Sequence, residues 1–108
     1  MDRYVLDGNK NPVLAATDDQ FYRFFEDPEA RRVARYEGDH VTISTVFLGY
    51  DHGFGDGPPI LFETMVFKEE GDEDMDRCTT WAEAEEMHAR FVAQYAPAGL
   101  DAISGKGG

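Results

Sequence analysis

An adjacent carboxylate and imidazole, Asp51 and His52, are the residues whose types best suit catalysis in this chain. Either group can serve as a general base or as a metal ligand. Side chains of adjacent residues usually point apart, and further ligands such as Glu63 and His88 are distant in the sequence. The spacings H-x-x-x-H, H-E-x-x-H and C-x-x-C do not occur. We therefore expect no metal, no other cofactor and no catalytic residue, and a metal-assisted enzyme that uses Asp51 and His52 is the weakest alternative.

These two residues lie in a long connection, residues 49–59, between two apolar segments, residues 41–48 and 60–67. A hairpin needs only about two to five connecting residues, so a longer loop with glycine, proline and aromatic residues is typical of a binding loop. It lacks the Lys-Ser/Thr sequence and the following helix of a phosphate-binding loop. We predict that it presents these residues to a ligand or partner: Tyr50, Asp51, His52, Phe54 and Asp56.

Arg31, Arg32 and Arg35 form the only cluster of basic residues. The acidic residues that directly precede the cluster are its expected ion-pair partners, and the alternative role is a contact to an anion or a nucleotide. The chain has one cysteine, Cys78, which cannot form an internal disulfide and so favours a reducing cytoplasm. Arg77 beside it favours the thiolate, but no histidine is near in sequence, so we interpret Cys78 as a half-buried strand thiol.

Negative charge dominates the chain, with 22 acidic residues against 10 basic ones and a net charge of -12. Most of the excess is in the second half, and its densest run contains Glu69, Glu70, Asp72, Glu73, Asp74 and Asp76. Such a surface repels a phosphate backbone, so we expect no direct nucleic-acid binding. No apolar segment reaches the ~18 residues needed to cross a bilayer, so we expect no membrane contact. The acidic run is interpreted as a solvated loop, and the alternative is a patch that meets a basic surface on a partner.

The order of elements favours an α+β fold, a small antiparallel sheet of three to five strands with two helices packed on one face. Strands are predicted at residues 4–6, 31–36, 41–48 and 60–67, with a short one at 78–79 after an acidic loop. Thr17 and Thr80 are predicted N-caps, and prolines at 28 and 97 end the two helices. Aromatic residues at helical spacing, including Phe21 and Phe91, are predicted to form the core. We expect one domain, residues 1–97, and a disordered tail, residues 98–108.

Five segments carry a resemblance to a known family: YVLDG at 4–8, RVAR at 32–35, STVFLGYDH at 44–52, GPPILFETMVF at 57–67 and TWAEA at 80–84. Together they resemble a family of small hypothetical proteins encoded in bacteriophage and prophage genomes. The resemblance implies a setting in the host cell cytoplasm and carries no activity with it.

The function expected from these observations is that of a small acidic binding protein. The resemblance implies that it inhibits or modulates a host or anti-phage defence factor through protein–protein contact. The first alternative is a module that binds a small molecule or nucleotide and sequesters a signal, with the arginine cluster and residues 50–54 lining the site. A homo-oligomer is compatible with either function.

Overall fold

A computed structural model describes residues 2–53, 55–71 and 73–96 of the chain. The strands are β1 (Tyr4–Leu6), β2 (Pro12–Leu14), β3 (Arg32–Glu37), β4 (Val41–Phe47), β5 (Phe62–Lys68) and β6 (Glu73–Cys78). The helices are α1 (Asp18–Phe25), α2 (Pro28–Arg31) and α3 (Trp81–Tyr95). This is the predicted α+β fold with a small antiparallel sheet. The predicted tail, residues 98–108, lies outside the described residues.

Strands β3, β4, β5 and β6 form a four-stranded antiparallel sheet in the order of the sequence. Alternate residues of each strand point to the same face, and on one face of the two central strands they are fully buried. Three cross-strand pairs fill that face: Ile43 with Val66, Thr45 with Thr64, and Phe47 with Phe62. The sheet therefore has one covered face and one face that no element in the described ranges covers.

Helix α3 covers the buried face of the sheet. Its start is fixed by a capping box, in which Thr80 accepts a hydrogen bond from the Glu83 amide and the Glu83 carboxylate accepts one from the Thr80 amide. Ala84, Met87 and Phe91 then recur at helical spacing and are buried against the sheet. The capping box and the Phe91 stripe confirm the sequence prediction for this helix.

The N-terminal third of the chain closes the other end of the core. Strands β1 and β2 form a separate hairpin, and Thr17 caps α1 by accepting a hydrogen bond from the Gln20 amide. Phe21 is 1% exposed, and Phe24 meets Phe47 edge-to-face with ring centroids 5.8 Å apart. Helix α1 thus reaches the same core layer as α3.

Two local predictions were wrong, and one was incomplete. Residues 9–12 were interpreted as a turn, but Pro12 begins β2, which completes the first hairpin. Pro28 ends α1, but it also begins the short helix α2, where proline suits the first position because its missing amide hydrogen is not needed there. The acidic run was expected to be a loop, yet residues from Glu73 onward form β6, because pairing with β5 outweighs the low strand propensity of acidic residues.

Candidate functional site

The long loop after β4 uses Asp51 and His52 to hold its own backbone. The Asp51 carboxylate accepts hydrogen bonds from the Gly53 and Ile60 amides, both at 2.8 Å. The bonds from Ile60 and Gly53 lower the pKa of Asp51 below its ordinary value. The His52 ring nitrogen Nδ1 lies 2.8 Å from the Tyr50 carbonyl oxygen. Each side chain is therefore hydrogen-bonded to the backbone, and the two do not form the carboxylate–imidazole pair that acid–base catalysis uses.

Tyr50 packs against α1, and its predicted role as a contact residue stays a prediction. Its ring is half-buried and meets the Phe21 ring edge-to-face at 5.2 Å, with the Phe25 ring 6.5 Å away. Gly49 makes this packing possible, because it has φ +82° and a β-carbon there would lie 2.5 Å from the Phe25 ring. Tyr50 therefore belongs to the aromatic core of α1.

Two further loop residues were predicted as contacts. Asp56 is exposed, and Phe54 lies outside the described residues. The predicted contact role of these two residues stays a prediction.

The three clustered arginines point to different places. Arg32 pairs with Glu29 at 3.0 Å, as expected for a preceding acid, whereas Arg35 pairs with Glu37 at 2.7 Å. The Arg31 guanidinium lies over the Phe25 ring, 4.4 Å from its centroid, and its buried Nε has no hydrogen-bond partner among the described residues. The cluster in sequence is therefore not a cluster of free cations in space.

Cys78 and His88 are structural in this fold. Burial raises the pKa of the Cys78 thiol to about 11, so the effect expected from Arg77 is overcome by desolvation. The His88 ring nitrogen Nδ1 lies 2.8 Å from the Thr45 hydroxyl, and burial lowers the pKa of His88. Within the described ranges, no three His, Cys, Asp or Glu side chains are grouped so that they could hold a metal ion.

The acidic run is partly neutralised by its neighbours. Asp76 pairs with Arg90 at 2.6 Å, and the Asp74 carboxylate accepts a hydrogen bond of 2.5 Å from the Tyr95 hydroxyl. Glu69 pairs with His40 and raises the pKa of that imidazole. Glu70 and Glu73 are exposed, and Asp72 lies outside the described residues.

A groove that sequence reasoning missed lies where the sheet meets the end of α3. It encloses about 510 Å³, which is within the range of ligand-binding pockets. We call it the tyrosine groove and define it by Tyr36, Asp39, His40, Lys68, Glu70 and Tyr95. The β3–β4 turn forms one side, the end of β5 forms the floor, and the last residue of α3 forms the other side.

The chain matches no family model, no curated protein and no solved structure. Of the helices in the described ranges, none has both the length and the apolar composition needed to cross a bilayer.

The electrostatics of the tyrosine groove favour a cation. The Lys68 ammonium lies 4.9 Å from the centroid of the Tyr95 ring and the Phe91 ring stacks on Tyr95 at 6.1 Å, so Tyr95 is already in contact with groups of the chain itself. Asp39 and Glu70 form no ion pair with another described residue. The groove also lies at the C-terminal end of α3, whose last turn has no basic residue to offset the negative end of the helix dipole.

No sequence spacing pointed to this groove. Its residues come from three segments, near positions 36–40, 68–70 and 95, and they are brought together by the antiparallel strand register and by the packing of α3 on the sheet. In the sequence, residues 37–39 indicate only a turn between two strands and Tyr95 indicates only the apolar side of a helix, so neither points to a binding site.

Proposed function

We propose that this chain is a non-catalytic binding protein that accepts a lysine or arginine side chain of a protein partner in the tyrosine groove. The observation that carries the proposal is that Asp39 and Glu70, which form no ion pair within the described ranges, line one groove together with Tyr36 and Tyr95. Aromatic faces and carboxylates are the two groups that recognise an ammonium or guanidinium side chain.

Two further features support a cationic partner. The net charge of -12 attracts a basic surface from a distance and raises the rate of encounter. The uncompensated end of α3 adds negative potential at the groove itself. The pairings of Asp74 and Asp76 within the chain reduce the weight of the acidic run alone, so the groove is the better candidate for the contact.

The partner we propose is a host or defence protein in the host cell cytoplasm, which the chain inhibits or modulates. The resemblance to bacteriophage and prophage proteins is the sole support for that setting. A small-molecule or nucleotide ligand is the second candidate function, and the orphan Nε of Arg31 beside the Phe25 ring is the observation that favours it.

The proposal is tested by mapping where a cationic probe binds. The probe is a short blocked peptide of alternating glycine and arginine, and its control is the same peptide with glutamate in place of arginine. Titration of the isotope-labelled protein is followed through backbone amide chemical shifts. We expect the arginine peptide to move the signals of residues 36–41, 68–71 and 95, and the glutamate peptide to move none of them. Shifts spread evenly over the acidic surface contradict the proposed site.

A further inference from the structure

The face of the sheet opposite α3 carries an apolar centre that no element in the described ranges covers. Phe67 and Met75 on this face are 43% and 38% exposed, and Met65 lies directly opposite Met75 on the neighbouring strand. Large apolar side chains together on one surface are uncommon unless the surface meets another molecule. Methionine is well suited to such a contact because its flexible side chain adapts to the opposing surface.

Charges on this face are arranged in rows that the strand register defines. The middle row across the four strands is Arg35, Ser44, Met65 and Met75. The row on one side of it is Glu37, Thr42, Phe67 and Glu73, and the row on the other side is Arg32, Val46, Glu63 and Arg77. Each outer strand therefore has an acid at one end and a base at the other, and the residue between them is Arg35 on β3 and Met75 on β6.

The free edge of β6 is less suited to a second chain than this face. The Met75 amide donates to the Asp74 carboxylate and the Arg77 amide donates to the Asp76 carboxylate, both at 2.8 Å. An edge strand whose amides are already bonded and flanked by carboxylates resists pairing with another strand. Association through β6 would have to break these bonds, whereas association through the open face breaks none.

We propose that the open face packs against the same face of a second copy, about a two-fold axis that crosses the strands along the middle row. Met65 and Met75 then meet their own counterparts on the axis, Met65 on a central strand and Met75 on the edge strand. Glu73 of one copy meets Arg77 of the other, and Glu37 meets Arg32 in the same way. A two-fold contact requires a surface complementary to itself, and the opposite charges at the two ends of β3 and β6 satisfy that requirement.

The other two-fold axis in the plane, which runs along the strands, is disfavoured by the same charges. It places β3 of one copy over β6 of the other, so that Glu37 faces Glu73 and Arg32 faces Arg77. Like charges in direct contact oppose association. In the proposed arrangement Arg35 is the only charged residue that approaches its own counterpart, at the rim, and each copy balances that charge with Glu37 at 2.7 Å.

The size of the face indicates a weak dimer. Four strands about 4.8 Å apart and about six residues long, at about 3.3 Å per residue, give a patch of roughly 19 by 20 Å, or about 400 Å², which is small beside the ~800 Å² per partner of a standard interface. Each copy also carries a net charge of -12, so the two copies repel each other. Physiological salt screens this repulsion beyond about 8 Å. We therefore expect a dissociation constant on the order of micromolar rather than nanomolar.

Sedimentation equilibrium of the full chain over about 5 to 500 μM at physiological salt measures this association directly. We expect a monomer–dimer equilibrium in the wild-type protein. Glu73→Arg places a base opposite Arg77 of the second copy and should weaken the dimer at least about fivefold. The double change Glu73→Arg with Arg77→Glu restores opposite charges across the axis and should return the constant to within about twofold of wild type. Glu85→Arg on α3, with the same charge change as Glu73→Arg, should not weaken it.

Each outcome decides the matter. Arg77 also pairs with Glu63 at 3.0 Å, so circular dichroism checks that the double variant is folded. The single changes Glu73→Arg and Met65→Lys test the same face without altering either residue of that pair. Met65→Lys should abolish the dimer while the chain stays folded. A monomer at every concentration, a dimer unaffected by Met65→Lys, or a dimer that Glu73→Arg strengthens overturns the proposal.

Discussion

Thr45→Val should destabilise the protein by about 2 kcal/mol, although valine has nearly the shape of threonine. The Thr45 hydroxyl is fully buried and lies 2.5 Å from the Thr64 hydroxyl and 2.8 Å from the His88 ring nitrogen Nδ1. A hydroxyl donates one bond and accepts others, so Thr45 links both partners. Valine breaks both bonds at once and leaves the buried Thr64 hydroxyl without a partner, which costs more than the net value of one hydrogen bond.

The neighbouring changes make this prediction quantitative. Thr64→Val leaves the Thr45–His88 bond in place and should cost only about 1 kcal/mol. The double variant leaves no buried threonine hydroxyl unpaired, so its cost should fall about 1 kcal/mol below the sum of the single costs. Thr42→Val on the same strand, facing away from α3, is the matched control and should change stability by less than ~0.5 kcal/mol.

Urea unfolding followed by circular dichroism at pH 7.5 measures all four variants, with the slope m expected to stay constant. The reasoning is refuted if Thr45→Val lowers the free energy of unfolding no more than Thr42→Val does. It is also refuted if the effects of Thr45→Val and Thr64→Val are additive, because the hydrogen bonds among Thr64, Thr45 and His88 would then not be coupled.

Other predictions test the core and the loop. Phe91→Ala should cost about 3 kcal/mol in urea unfolding, because the side chain is 4% exposed and its removal opens a cavity under α3. Gly49→Ala should cost more than Gly71→Ala; both glycines have positive φ, but only at Gly49 would a β-carbon meet a side chain, and equal costs would contradict the packing of the loop on α1. The free energy of unfolding should fall as pH decreases through about 6.5 towards the lowered pKa of folded His88, because the unfolded chain then binds the proton more readily, and His88→Gln should remove that part of the slope. Cys78 should react with iodoacetamide at pH 8 at least about tenfold more slowly than a free thiol, because a pKa of about 11 lowers the thiolate fraction more than the higher nucleophilicity of that thiolate compensates, and a fast reaction would show that the thiol is not buried as described.

Local signals predicted much of the fold. The Thr17 and Thr80 caps and the apolar alternation of β4 and β5 each act over a few residues, so one sequence suffices to identify them. Strand β6 was missed because its aspartates disfavour strands locally. What holds it is non-local, namely pairing with β5 and the bonds from Tyr95 and Arg90 on α3.

The candidate site was predictable to a smaller extent. Asp51, His52 and Tyr50 were predicted to bind a ligand or partner, and in the described structure these residues hold the loop together and pack it on α1. An unusual loop composition indicates that side chains make contacts without indicating with what. The tyrosine groove needs Tyr36 and Tyr95, which are far apart in sequence, and only tertiary structure brings them together.

The central claim is that the tyrosine groove, and not the net charge, recognises a cationic side chain. Its most direct test is the dissociation constant of the arginine peptide for two charge-matched double variants, measured by calorimetry. Asp39→Lys with Glu70→Lys changes the groove, and Glu85→Lys with Glu86→Lys makes the same charge change about 15 Å away along α3. We predict that the groove variant binds at least about tenfold more weakly than wild type and the helix variant within about threefold. Equal weakening by both variants would contradict the account, because it would assign the binding to the overall charge.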